Sequence, residues 1–170
     1  DCNTEYIKKS KYDQINNIIH LLKTDPYSRR IFLSAWNPVD LDKTVLPPCH
    51  VSAQFYVDND KGLSCHMYQR SCDVFLGLPF NIFSYTVLTY ILAKKCNLTP
   101  RKLIISLGDV HIYSNHIEQI KEQMSRNVLA YPTLVLSDHI VDKEIEDINI
   151  DDFELVGYFP HNSIKAPMAV

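Results

Sequence analysis

Cys49 follows two prolines in LPPCHVSAQFYV (residues 46–57), at the head of a run whose side chains alternate as in a strand. A thiol titrates near about 8.5, so a reactive thiolate needs positive charge or hydrogen-bond donors beside it. Three arginines could supply them. Arg29 and Arg30 follow a turn signal, and Arg70 stands at a strand end in YQRSCDVFLGLPFN (residues 68–81). The guanidinium fork also suits bidentate phosphate binding. A phosphorylated ligand brought to Cys49 accounts for both features. The plainer alternatives are a small buried thiol for Cys49 and a solvated turn for Arg29–Arg30.

The stretch from Arg70 to Asn81 is dense in polar chemistry. Arg70 and Ser71 are candidate phosphate ligands, and Asp73 is an acid set just before an apolar run. The amide of Asn81 offers a donor and an acceptor, the pair needed to read a pyrimidine edge that carries O4 and N3–H. Asn81 serves equally well as a helix N-cap after Pro79–Phe80. In GDVHIYSNH (residues 108–116), His111 and Tyr113 alternate and so point the same way in an extended chain, where they could hold a sugar hydroxyl. A half-buried His and a core Tyr are the ordinary reading of that pair. His50, next to Cys49 on a strand, should face the other way, which argues against a Cys–His hydrolase.

These residues need elements to position them. Tyr12 to Lys23 reads as an amphipathic helix capped by Asp13. Arg30 to Trp36 is a strand candidate, and His50–Asp58 with Leu63–Gln69 form a hairpin through NDKG. Pro79 to Cys96 is a long apolar helix and Leu103–Leu107 a short strand. Ser114 to Arg126 is helical with an Asn115/Glu118 capping box, and Leu134–Leu136 and Phe153–Val156 are short strands. Helices and strands mix without a regular βαβ cycle, so the expected class is α+β.

At 170 residues, the length suits one domain. Hydrophobic residues make up 46% and charged residues 22%, ordinary for a globular protein. The net charge of −3 does not favour nucleic acid as a partner. The longest apolar window, Leu78–Ala93, is too short and too polar to span a bilayer. Five cysteines without a CxxC pair point to a reduced, cytoplasmic setting, and the histidines form no zinc pattern.

Five blocks together resemble the thymidylate synthase family: RRIFLSAWNPVDL, LPPCHVSAQFYV, LSCHMYQRSCDVFLGLPFNIFSYTVLTY, LGDVHIYSNHIEQI and FELVGYFPHNSIKAPMAV. The resemblance implies a mixed sheet with packed helices and a sheet-to-sheet homodimer. It implies reductive methylation of dUMP to dTMP with 5,10-methylenetetrahydrofolate as co-substrate and no metal. Cys49 would be the nucleophile that adds to C6 of the uracil. Arg70, Ser71, Cys72 and Asp73 would bind dUMP, with Arg29 and Arg30 reaching the phosphate across the dimer. Asn81 would read the uracil, and His111 and Tyr113 the ribose. Asp73 would also contact folate, as would Ala169 in a tail that closes over it. The family carries a catalytic glutamate and an arginine loop ahead of the matched region, so residues 1–170 are expected to be a thymidylate synthase domain lacking its N-terminal part. Some family members are fused behind dihydrofolate reductase. The alternatives are a pyrimidine nucleotide hydroxymethylase on the same fold, disfavoured by Asn81, or an inactive nucleotide-binding fragment.

Overall fold

The computed structural model describes residues 12–168. Helix α1 (Gln14–Thr24) starts where the Asp13 carboxylate accepts from the Asn16 backbone N–H at 2.9 Å. It buries Ile18, Ile19 and Leu22. The Gln14 side chain bonds both backbone groups of Ser34, at 2.8 and 2.9 Å, and so pins this helix to strand β1 (Phe32–Ser34). Strands β2 (His50–Val57) and β3 (Gly62–Asp73) form the expected hairpin. Its turn is held by Asp58, whose carboxylate accepts from the N–H groups of Asp60 and Gly62 at 2.9 and 2.7 Å. A Cβ on Gly62 would collide with the Arg101 and Asp58 side chains, which would have to shift to admit it.

Helix α2 (Leu78–Lys95) then crosses over, and strand β4 (Thr99–His111) returns parallel to β3. The helix ends on Asn97 in the left-handed conformation, with φ 54°. The main sheet has the order β1-β2-β3-β4 and is mixed. Helix α3 (Ile117–Ser125) follows, and β5 (Thr133–Leu136) pairs antiparallel with β6 (Phe153–Val156) in a second sheet.

The sheet has two unlike faces. Ala53, Phe55, Val57, Leu63, Cys65 and Met67 point into the core with Ile18, Leu22, Tyr85 and Leu92. Burying each large apolar side chain there is worth about 1.5–3 kcal/mol. The other face carries Gln54, Tyr56, His66, Tyr68 and Ile104 in the open. That alternation is why the hairpin was readable from its residues.

The mixed α/β class holds, with one βαβ crossover, β3–α2–β4, and no regular cycle, but two local expectations change. Strand β4 runs for 13 residues rather than five, because parallel hydrogen bonding to the long β3 recruits Arg101, Lys102 and Asp109 as well as the apolar residues. The Asn115/Glu118 capping box is absent: Ser114–His116 form a 3-10 turn, and α3 begins after His116 without a side-chain cap.

Candidate active site

Loop, strand and helix ends meet at one cavity of about 610 Å³. Its lining includes Cys49, Arg70, Ser71, Asp73, Asn81, His111 and Tyr113. These seven residues come from four separate segments of the chain, and the strand pairing assembles them. Cys49 ends the loop into β2, and its carbonyl accepts from the Arg70 N–H at 2.9 Å. The parallel register sets Ser71 beside Asp109 and Asp73 beside His111. This brings the strand ends of β3 and β4 to the same rim. Gly108 makes that pairing tight: a Cβ there would lie 2.7 Å from the Arg70 carbonyl oxygen.

The two prolines before Cys49 now have a physical role. The Arg70 guanidinium donates from Nε to the Pro48 carbonyl at 3.0 Å and from Nη2 to the Pro47 carbonyl at 2.7 Å. It also lies 5.5 Å from the centroid of the Trp36 ring. Arg70 therefore clamps the turn that presents Cys49. A guanidinium has five N–H donors, and these two bonds leave donors free for an anion in the same cavity. Cys49 is a half-buried free thiol.

Asn81 is not a cap. Helix α2 begins at Leu78 with Gly77 before it, and Asn81 sits inside the first turn, its N–H donating to the Gly77 carbonyl at 3.2 Å. Its side-chain amide has no protein partner among the described residues and lines the cavity. Asp73 accepts from the backbone N–H groups of Phe75 and Leu76 at 3.1 and 3.4 Å, which fixes its carboxylate at the mouth of the helix. The His111 ring pairs with Asp109 at 3.2 Å and stands edge-on to Tyr113, with centroids 5.0 Å apart. His50 turns away: its Nδ1 lies 2.9 Å from the Tyr85 hydroxyl, on the core side. A hydrolase base at His50 is therefore excluded by geometry.

Other expectations fall elsewhere. Cys72 is fully buried and does not line the cavity, so its expected contact with dUMP finds no support in this arrangement. Burial pushes its thiol up, with the charges of Asp73 and Cys49 adding to the shift. Arg29 and Arg30 lie exposed in a turn, outside the cavity of their own chain. Ala169 lies outside the described residues. Sequence reasoning missed Gln69, Gly77, Phe80, Ala166 and Met168, which also line the cavity. Gln69 carried a readable signal, a polar side chain next to Arg70 at a core-facing strand position. Ala166 and Met168 belong to the C-terminal block whose resemblance implied a tail closing over the site, with Ala169 rather than these two named as the contact.

Comparison with known families places the chain. The thymidylate synthase family model matches residues 2–170. The chain belongs to the thymidylate synthase family. It is 54% identical, over its whole length, to the bifunctional dihydrofolate reductase-thymidylate synthase of Paramecium tetraurelia, covering 36% of that protein. It is 52% identical over 159 residues to the thymidylate synthase of Staphylococcus haemolyticus, covering 94% of this chain and 49% of that one. It is 46% identical over 177 residues to the thymidylate synthase of Saccharomyces cerevisiae, with coverage of 99% and 57%. The chain thus spans between about a third and three-fifths of these thymidylate synthases. Among the described residues no helix is long and apolar enough to cross a membrane, and no group of three His, Cys, Asp or Glu could hold a metal.

Proposed function

We propose that this chain carries the nucleophile and nucleotide site of an enzyme that methylates dUMP to dTMP with 5,10-methylenetetrahydrofolate. The observation that carries this reading is the single cavity that gathers Cys49, Arg70, Ser71, Asp73, Asn81, His111 and Tyr113. The residues divide the work by chemistry. Arg70 and Ser71 offer donors to a phosphate, and His111 and Tyr113 face the sugar. The free amide of Asn81 meets the O4 and N3–H edge of uracil with a donor and an acceptor. Cys49 then stands over the ring and bonds to C6, and C5 gains the electrons of the broken double bond. C5 attacks the one-carbon unit of the folate, which also supplies the hydride that makes the methyl group. The C5 proton leaves, the Cys49–C6 bond breaks, and the thiol is released. Asp73 touches both substrates' positions from its place between Ser71 and helix α2.

Asn81 weighs against a cytosine-directed hydroxymethylase, because the cytosine edge reverses both hydrogen bonds and a carboxylate would serve it better. The assembly we propose is a homodimer, packed through the open sheet face that carries Phe32, Tyr56, Tyr68 and Ile104. The Arg29–Arg30 turn borders that face, since the Arg29 carbonyl accepts from Gln54 at 3.4 Å. This placement supports delivery of both arginines to the partner's phosphate. Cys72 would then act by shaping the strand from within, and Ala169 would close on folate. A cytoplasmic setting follows from the same reading.

The direct test is a mass-spectrometric adduct with 5-fluoro-dUMP and folate in the full-length enzyme, expected on Cys49. An adduct on Cys65 or Cys72 overturns the assignment. Residues 1–170 alone are expected to make no thymidylate. Among the described residues Asp73 is the only carboxylate that lines the cavity, and the acid–base glutamate expected of the family has no counterpart among them there. Thymidylate formed by the isolated chain, free of host enzyme, would disprove this.

A further inference from the structure

His116 is fully buried, yet it reaches two walls of the cavity without lining it. Its Nε2 lies 2.7 Å from the Pro167 carbonyl oxygen. A carbonyl only accepts, so Nε2 carries the hydrogen. On the opposite side of the ring Nδ1 has no hydrogen-bond partner. The Asp73 carboxylate oxygen Oδ1 stands 3.9 Å from it. The ring is held edge-on to Tyr113 and tilted against Phe75, each with centroids 5.6 Å away. It therefore has little room to swing.

The tail beyond it is arranged to match. Ala166 and Met168 line the cavity, while the Pro167 carbonyl between them meets His116. Asp73 lines the same cavity from the β3 side. Leaving a buried polar atom unpaired costs about 1–3 kcal/mol, and a hydrogen bond between Nδ1 and Asp73 would remove this cost. The present gap exceeds hydrogen-bond range by about an ångström.

We propose that His116 is a positioning residue that ties the Ala166–Met168 tail to the Asp73 carboxylate, so that both meet the reduced folate together. The inference rests on the folate-dependent reading above. Only a ring with two opposed nitrogens spans both partners. Gln at this position can still donate to the Pro167 carbonyl but leaves Asp73 alone. Asn can still reach toward Asp73 but drops the tail.

The test uses the full-length enzyme with His116→Gln, His116→Asn and His116→Ala. In the Ala variant the KM for methylenetetrahydrofolate is expected to rise about tenfold, while the Kd for dUMP moves less than about twofold. Gln and Asn should each recover part of the folate KM. Amide hydrogen exchange at Lys165, Ala166 and Met168 should quicken in Ala and Asn and stay near wild type in Gln. Equal loss for both substrates in all three variants, or unchanged tail exchange in Ala, overturns the proposal. If the Ala variant fails to fold, judged by near-UV circular dichroism, the opposed pattern of Gln and Asn decides. The exchange measurement needs no substrate. A wild-type enzyme that does not turn over dUMP would therefore sink the functional reading while the tail link is still tested.

Discussion

Cys49 ends the loop into β2 and Cys65 lies in β3, the next strand of the sheet, and their surroundings differ in every respect that matters to a thiol. Cys65 pairs with Phe55 across the hairpin and is sealed in the core. Burial pushes its thiol up to about 11, with a hydrogen bond between its side chain and Thr89 pulling the other way. Cys49 ends a loop clamped by Arg70, half open to a cavity lined with donors. The same side chain is a sealed hydrophobe at one place and, on the reading proposed above, the nucleophile at the other. What separates them is company: apolar side chains around the first, a guanidinium and a polar rim around the second.

The largest expected effect falls on the Cys49 side. Cys49→Ser in the full-length enzyme should lower turnover by at least about 10³-fold while dUMP still binds by calorimetry. Cys65→Ser should leave turnover within a few-fold, and a comparable loss there would erase the contrast between the two thiols.

Next comes the polar company that the proposed homodimer would bring from the partner chain. On that reading Arg29→Glu with Arg30→Glu removes two charge-assisted contacts, each worth roughly 1.5–3 kcal/mol, so the dUMP KM should rise by about a hundredfold or more. Mixing that variant with Cys49→Ala should restore activity, because one site of each mixed dimer then holds both lesions and the other none. No recovery on mixing means that the arginines serve their own site.

Asn81 is a smaller lever on the same cavity. Asn81→Asp should narrow the preference for dUMP over dCMP by about tenfold, the scale of one mismatched buried hydrogen bond. An unmoved ratio of kcat/KM values would leave the uracil reading of Asn81 without support.

The smallest effect belongs to Cys65, and it shows in stability rather than in rate. Its folded thiol, pushed up to about 11 from an ordinary value of 9.0, holds its proton more tightly than the unfolded chain does. Its stabilising contribution is therefore complete below about pH 9 and falls away as pH rises toward 11. Tyr85, pushed up to about 12 from 10.0 by burial, extends the same fall to higher pH. Urea melts across this range should show the decline, and Cys65→Ala should flatten its lower part. An identical slope in that variant would assign the pH dependence to other groups.

Much of the molecule was legible because its signals are local. Asp13 caps α1 as expected, since an N-cap needs only a carboxylate three residues from an N–H. The hairpin was readable from alternation around NDKG, and α2 from a long apolar run. Errors arose where a partner elsewhere decides. The length of β4 depends on β3, and the missing capping box near Asn115 gives way to a 3-10 turn that buries His116.

The residue types alone determined the candidate chemistry: a thiol behind two prolines, arginines for a phosphate, an amide for a pyrimidine edge, and the family to which these blocks belong. Types and spacing suffice for that because functional groups carry their chemistry wherever they stand. Only the tertiary structure decided which of them meet. It turned Asn81 from a possible cap into a free amide, buried the Cys72 side chain, set Arg29 and Arg30 in an exposed turn, and brought Ala166 and Met168 to the cavity. It also set Arg70 against the Pro47 and Pro48 carbonyls. Such meetings depend on strand register and on chain ends far apart in sequence, which the pattern of any single segment does not encode.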